Sequence, residues 1–162
     1  MASLINNKNS RFDALAQKKK FFTYVFMTSF AACASAASPP ASISPYALRE
    51  ECSAFSQAGM HDCLAKKAAS SQKELRQAEE RATDTLSKWD EDGKYVSQSK
   101  SRLATSIKDF SKYRDTQCDF QASLSGGGAG NSREIGRLAC VSELNYVRAR
   151  QLLEAVNDLP LK

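Results

Sequence analysis

The sequence has little of what metal sites and catalytic sites commonly need. Its 162 residues include one histidine, His61, one tryptophan and four prolines. One histidine cannot build a histidine-based metal site, and the five cysteines show no C-x-x-C spacing. His61 stands near the predicted start of a long helix, where a lone histidine is typical of a bystander. We therefore predict neither a metal nor a cofactor.

Other catalytic patterns are also missing. The glycine run at 126–128 is not followed by Gly-Lys-Ser or Gly-Lys-Thr, which a phosphate-binding loop requires, so we interpret it as a flexible connector. Asp109 and Asp115 have lysine and arginine neighbours along the chain, a pattern typical of an ion-paired helix surface rather than of an acid and base pair. We predict that the protein is not an enzyme.

The chain also lacks a concentrated positive charge outside its first 36 residues. The formal net charge is +5, but residues 1–36 hold five of the 23 lysines and arginines and one of the 18 acidic residues. Residues 37–162 therefore carry 18 basic and 17 acidic side chains, a net charge of +1. A duplex-binding protein normally gathers lysine and arginine on one face to neutralise phosphates. The balance of charge argues against a nucleic-acid partner.

No segment alternates apolar and polar residues with a period of two, so the sequence predicts no strand. Ser44-Pro45 predicts the start of a short helix that runs from Tyr46 to about Phe55. Ser56 then precedes a long segment with small or apolar residues every three or four positions, which indicates an amphipathic helix. That stripe contains Met60, Cys63, Leu64, Ala68, Ser71, Leu75, Ala78, Ala82, Leu86 and Trp89.

Two more long helices follow the acidic turn at 90–93. The second begins near Lys94, and its stripe contains Val96, Leu103, Ile107, Phe110, Tyr113, Arg114, Gln117 and Phe120. Asn131 is the predicted N-cap of the third, with Glu134 in capping-box position, and Pro160 ends it. The third stripe contains Ile135, Leu138, Val141, Leu144, Asn145, Val147, Leu152, Val156 and Leu159. We predict an all-α fold, an up-down-up three-helix bundle with a short N-terminal helix.

The first 36 residues have the pattern of a signal peptide. Three lysines at 18–20 precede an apolar run at 21–32, and Ala34-Ser35-Ala36 forms a small-x-small cleavage site. Residues 37–44, which include two prolines, then form a linker to a domain at 45–162. The alternative is a lipoprotein acylated at Cys33, in which membrane contact comes only through the lipid. Either interpretation predicts export, to the periplasm or beyond it.

Four cysteines remain after the predicted cleavage: Cys52, Cys63, Cys118 and Cys140. An even number fits a disulfide framework in an oxidising compartment. Antiparallel packing brings all four to one end of the bundle, which leaves all three pairings geometrically open. We favour Cys52 with Cys63 and Cys118 with Cys140, because each bond closes a short loop and stabilises the fold by about 3 kcal/mol in the chain-entropy model.

The order of these motifs resembles one bacterial family. An early cysteine pair, Phe110 followed by Tyr113-Arg114-Asp115-x-x-Cys118, a glycine-rich loop and a final helix headed by Cys140 resemble the LprI-type lysozyme inhibitor domain over roughly residues 50–158. The chain departs from the family pattern at Phe110, where tryptophan is usual, and at Asn145, where threonine is usual. We identify it as a divergent member of that family.

The resemblance implies an exported, disulfide-bonded helical protein that binds a protein partner, which for some members is a lysozyme blocked by occlusion of its active site. The alternative is an envelope-associated structural or adaptor protein without lysozyme activity. The acidic turn at 90–92 and the loop at 125–133 are candidate contact surfaces at opposite ends of the bundle.

We single out Phe110, Tyr113, Arg114 and Asp115 as a candidate structural or binding motif. In the structural interpretation, which we favour, Tyr113 packs while Arg114 and Asp115 tie adjoining helices near the disulfide. In the alternative, these side chains contact the partner directly.

Overall fold

A computed structural model describes residues 44–127 and 130–162 of the chain. The predicted signal peptide and residues 37–43 of the predicted linker lie outside this part. Four helices follow one another: α1 (Pro45–Glu51), α2 (Gln57–Lys88), α3 (Gly93–Ser123) and α4 (Asn131–Val156). In the described ranges the only pairing of extended backbone is an isolated bridge between Trp89 and Leu161. The predicted all-α fold is confirmed.

Side chains close the starts of the first three helices, as their sequences suggest. The Ser44 hydroxyl accepts from Ala47 N at 3.1 Å, and the Ser56 hydroxyl accepts from Gly59 N at 3.3 Å. Asp92 caps α3 by accepting from Lys94 N at 3.0 Å. Each cap satisfies one of the backbone N–H groups that a helix start leaves without an internal partner.

The start and end of α4 differ from the prediction. The N-cap is Gly130, with φ +47°, and no side chain caps the helix. Asn131 is already the first helical residue, so the predicted capping box with Glu134 does not form. The helix ends at Val156, four residues before Pro160, and the Asn157 N–H bonds to the Glu154 carbonyl. A glycine makes the sharp entry possible because a positive φ strains residues that have a Cβ.

The three long helices run up, down and up, and α4 lies at the centre of the packing. It runs parallel to α2 and packs along it, while α3 returns antiparallel against α4 and α1 crosses the first turns of α4. The buried apolar residues form two clusters. The first contains Leu48, Cys52, Leu64, Ile135 and Ala139. The second contains Leu75, Ala78, Ala82, Ala149 and Leu152.

Both predicted disulfides are present, at the same end of the bundle. Cys52 bonds to Cys63 across a Cα–Cα distance of 5.8 Å and joins the end of α1 to α2. Cys118 bonds to Cys140 across 5.6 Å and joins α3 to α4. The favoured local pairing is confirmed. Three of the four cysteines in these disulfides are fully buried, so the bonds form part of the core at this end.

The opposite end is closed by hydrogen bonds. Asp90 N donates to the Pro160 carbonyl at 2.8 Å, and Lys162 N donates to the Lys88 carbonyl at 2.9 Å. The segment after α4 is therefore held against the turn between α2 and α3. None of the described helices combines the length and the apolar character needed to cross a bilayer.

Helix α3 is less deeply buried than its neighbours. Its only buried residues are Cys118 and Ala122, near its C-terminal end. Val96, Leu103 and Phe110, which the stripe places toward the core, are half-buried. Phe120, expected in the same stripe, is 58% exposed. The predicted stripe is therefore wrong at its C-terminal end.

Candidate functional site

The four residues of the predicted motif lie on two different sides of α3. Phe110 and Tyr113 line a groove between α3 and α4. Arg114 points between the helices, with its side chain 12% exposed, and Asp115 lies beside it at the edge. Tyr113, expected to pack, is 54% exposed. The motif thus divides into an internal arginine with its ion-pair partner at the edge, a half-buried phenylalanine and an exposed tyrosine.

Arg114 joins all three long helices. Its Nη1 donates to Gln72 Oε1 on α2 at 2.7 Å and to Asn145 Oδ1 on α4 at 3.1 Å. Its Nε donates to Asp115 Oδ1 at 2.9 Å, an ion pair within α3 rather than between helices. Hydrogen bonds from a charged donor are stronger than neutral ones, and those that form away from water are screened little.

Asn145 is the buried centre of this network. Its side chain is fully buried, and Nδ2 donates to Ser71 Oγ at 3.2 Å and, at 3.5 Å, to Gln72 Oε1. Ser71 Oγ in turn donates to the Ala68 carbonyl at 2.9 Å. We name Ser71, Gln72, Arg114 and Asn145 the polar layer.

Sequence reasoning did not identify the polar layer, although a signal for it was present. Ser71, Arg114 and Asn145 each occupy a position in the apolar stripe of a different helix. A polar residue in such a stripe needs a hydrogen-bond partner when it is buried. Three such residues at matching heights on three helices therefore indicate that they are hydrogen-bonded to one another. Gln72 has no such signal, because it lies beside its stripe.

A second set of polar contacts lies one turn along α4. Arg148 Nη2 donates to Ser106 Oγ at 2.6 Å, and its guanidinium carbon lies 5.7 Å from the centre of the Phe110 ring. That distance allows a cation–π contact. Arg148 Nε is buried and has no acceptor in the described part of the chain. Burial raises the pKa of the nearby Glu79 carboxyl, although the positive charges of Arg148 and Arg114 oppose that shift.

The groove between α3 and α4 has a volume of about 450 Å³. It is lined by Ser106, Asp109, Phe110, Tyr113, Leu144, Val147, Arg148 and Gln151. Two further exposed apolar side chains follow Tyr113 on the same side of α3, Phe120 and Leu124, exposed by 58% and 70%. We name Tyr113, Phe120 and Leu124 the α3 ridge. An exposed row of large apolar side chains is a common mark of a protein-binding surface.

A larger cavity, of about 650 Å³, lies between α2 and α4 beside the first disulfide. Phe55, Cys63, Lys66 and Tyr146 are among its lining residues. Lys67, also in the lining, hydrogen-bonds to Glu51, and this bond raises the pKa of the Lys67 ammonium group. His61 lies near this end, where its Nδ1 is 3.4 Å from Asp62 Oδ1.

Neither cavity brings together a set of metal ligands. In residues 44–127 and 130–162, no three histidine, cysteine, aspartate or glutamate side chains form a group that could hold a metal ion. The acidic turn residues Asp90, Glu91 and Asp92 are exposed at the end away from the disulfides. Residues 125–127 and 130–133, the described parts of the other candidate surface, are exposed at the disulfide end.

A family model described as lysozyme inhibitor LprI matches residues 50–152. Searches of the curated proteins and of the solved structures found no match. The matched segment contains both disulfides, the polar layer and all three residues of the α3 ridge, and it covers well over half of the chain. The chain therefore belongs to the LprI lysozyme inhibitor family.

Proposed function

We propose that this protein binds a lysozyme and inhibits it by covering its active-site cleft. The observation that carries the proposal is the match of residues 50–152 to the lysozyme inhibitor family. Occlusion needs a surface that fits the cleft and a scaffold that does not deform, but it needs no catalytic group on the inhibitor. The protein would act as a binding protein and not as an enzyme.

The scaffold supports a binding role. Two disulfides fix one end, and the polar layer links the three long helices in the middle of the bundle. A surface carried on rigid elements loses little conformational entropy when a partner binds. Arg114, the charged residue of the predicted motif, is engaged in this internal network, so its role in binding is to hold the helices that present the surface.

Export is part of the proposal. The lysine triplet, the apolar run and the cleavage site at 34–36 support a periplasmic or secreted protein, and acylation of Cys33 would instead anchor it to a membrane. The two disulfides suit an oxidising compartment. The intact mass of the protein recovered from an envelope or culture fraction tests this step, because cleavage after Ala36 and lipid on Cys33 leave different masses.

A turbidity assay tests inhibition. Purified oxidised protein is added to lysozymes of several structural classes, and the clearing of a bacterial cell suspension is followed. We expect one class to be inhibited at near-stoichiometric ratio, and protein reduced and alkylated at all four cysteines to lose the effect. No inhibition of any class at large molar excess would remove this proposal and favour the envelope adaptor.

A further inference from the structure

The α3 ridge arises from a mismatch between two periods. A row of apolar residues that includes three polar ones, Ser99, Ser106 and Gln117, recurs along α3 in strictly alternating steps of three and four, a period of 3.5. The row consists of Val96, Ser99, Leu103, Ser106, Phe110, Tyr113, Gln117, Phe120 and Leu124. A straight helix has 3.6 residues per turn, so such a row rotates by about 20° per seven residues. Over the 28 residues from Val96 to Leu124 it moves roughly 80° around α3.

The burial of the apolar residues in this row follows that rotation. Val96, Leu103 and Phe110 are half-buried, whereas Tyr113, Phe120 and Leu124 are 54%, 58% and 70% exposed. The polar Gln117 between them is half-buried. At the disulfide end the core-facing positions belong to Cys118 and Ala122. The C-terminal part of α3 therefore has two apolar faces, one buried by the bundle and one open. The open face is convex, since it is the outer edge of a helix.

The charge around the ridge is positive. Lys112 is exposed beside Tyr113, and Lys108 is exposed one turn before Lys112. Asp109, four residues before Tyr113, is the exposed acid that lines the same groove. The next two acids along α3 are matched within the protein, because Asp115 pairs with Arg114 and Asp119 accepts from Arg137 Nε at 2.8 Å. A partner surface that carries carboxylates would complement this end of α3.

The same helix contains a second lysine–tyrosine pair, which serves as a matched control for Lys112-Tyr113. Lys94-Tyr95 repeats the pair Lys112-Tyr113 at a distance of 18 residues, which is five helical turns, so both pairs lie on one face about 27 Å apart. Tyr95 is 50% exposed, close to the value for Tyr113. Along α3, however, no exposed large apolar residue follows Tyr95 as Phe120 and Leu124 follow Tyr113 at steps of seven and four, and the chain just before Tyr95 holds the exposed acids of the 90–92 turn.

We propose that the α3 ridge, with Lys112 beside it, is the surface that enters the cleft of the lysozyme. This inference rests on the proposed function and adds the contact surface to it. A lysozyme cleaves a polysaccharide, and glycoside hydrolases flank the scissile bond with two carboxyl groups. A convex helix edge with apolar anchors at steps of seven and four fits an elongated groove, and a lysine ammonium group complements its carboxylates.

Matched double variants test the surface. Lys112→Glu with Tyr113→Ala changes the ridge, and Lys94→Glu with Tyr95→Ala makes the same changes in side chain and charge on the same face of α3. We expect the first variant to weaken inhibition about 100-fold or more and the second to stay within about threefold of the unchanged protein. Phe120→Ala alone should weaken inhibition about tenfold. All these side chains are exposed, and thermal melting with circular dichroism verifies that each variant folds.

The outcomes separate the surface from the function. If the unchanged protein inhibits a lysozyme and the ridge variants inhibit it equally well, the ridge is not the contact surface, and the proposed function stands. Loss of inhibition only in the Lys94→Glu, Tyr95→Ala variant would assign the contact to the acidic end and overturn the inference. The alternative occupant of the ridge is a second copy of this chain, and sedimentation of each variant measures its oligomeric state. If the unchanged protein is a dimer that Phe120→Ala dissociates without a change in inhibition, a second copy covers the ridge and the inference is overturned.

Discussion

At the scale of single residues, the polar layer sets the register of the three long helices. Apolar side chains can slide by a turn and still be buried, whereas a hydrogen-bonded pair at one height cannot. Arg114 reaches Gln72 and Asn145 at the same time, and Asn145 reaches Ser71. A shift of one helix would leave buried polar atoms without partners, which costs about 1–3 kcal/mol for each group.

Replacing Arg114 by an apolar side chain of similar length should therefore destabilise the fold, even though the packing volume is largely kept. We expect Arg114→Met to lower the free energy of unfolding by about 2–3 kcal/mol, because Asn145 Oδ1 then stays buried without its donor. Asp115→Asn is the matched control at the exposed edge of the same network and should cost under about 1 kcal/mol. Urea unfolding at pH 7 measures both, and equal stabilities would argue against the register role.

Glu143 gives a pH-dependent prediction. Burial raises the pKa of its carboxyl, which means that the folded state binds the proton more tightly than the unfolded state does. The stabilising contribution is then present below the ordinary pKa range and is lost as the pH rises through the folded pKa. Above the folded pKa, burial of the charged Glu143 carboxylate opposes folding.

We expect Glu143→Gln to be more stable relative to the unchanged protein at pH 7 than at pH 4. Thermal melting of both proteins at the two pH values measures this difference directly. Glu79→Gln tests the same effect at a second site, where Arg148 and Arg114 oppose the effect of burial, and its relative stability should change with pH in the same direction. A gain for Glu143→Gln that is independent of pH would contradict the assignment.

At the scale of the elements, the two disulfides hold different parts. The Cys118–Cys140 bond fastens α3, which has only two buried residues, to the central helix α4. The Cys52–Cys63 bond fastens the seven-residue α1 to α2. In the chain-entropy model each bond contributes about 3 kcal/mol. Their removal should nevertheless have different local effects.

The double variant Cys118→Ser, Cys140→Ser should lose about 3 kcal/mol of stability and should also expose the C-terminal half of α3 to protease. The matched variant Cys52→Ser, Cys63→Ser should lose a similar amount but leave the C-terminal half of α3 protected, because α1 does not contact α3. Limited proteolysis followed by mass spectrometry locates the first cut in each. A first cut in the C-terminal half of α3 for both variants would show that the bonds do not act locally.

Sequence patterns predict the elements well because a 3.6-residue period and a capping residue are local properties. Ser44 and Ser56 mark the starts of α1 and α2, and short loops between cysteines favour the observed pairs. Two features cannot be predicted from the sequence patterns, because they depend on the neighbouring helices. The outward turn of Phe120 requires knowing that Cys118 faces α4, and Asn145 is recognisable as a hub only when Arg114 and Ser71 are placed opposite it.

At the scale of the whole molecule, the bundle has one strongly held end and one weakly held end. Disulfides, the first core cluster and α1 lie together at one end. At the other, the N-terminal half of α3 has no buried residue, and the chain closes through backbone hydrogen bonds to Pro160 and Lys162. Local opening should therefore begin at the acidic turn and proceed toward the disulfides.

Hydrogen–deuterium exchange should show this gradient along α3. We expect amides of residues 97–106 to exchange at least tenfold faster than those of residues 114–122, and reduction of both disulfides to remove most of the difference. Peptides from α2 over the same heights serve as the control, since α2 has buried residues spread from Leu64 to Leu86. Uniform exchange along α3 in the oxidised protein would contradict the gradient.

The disulfides also have a mechanical consequence. If the molecule is stretched between Ser44 and Lys162, tension passes through the sulfur bonds, and the two loops that they close, 53–62 and 119–139, bear no load. About 30 residues therefore cannot extend while the disulfides are intact. Reduction would add roughly 100 Å to the length of the fully stretched chain. The oxidised protein is thus the shorter tether between whatever it joins.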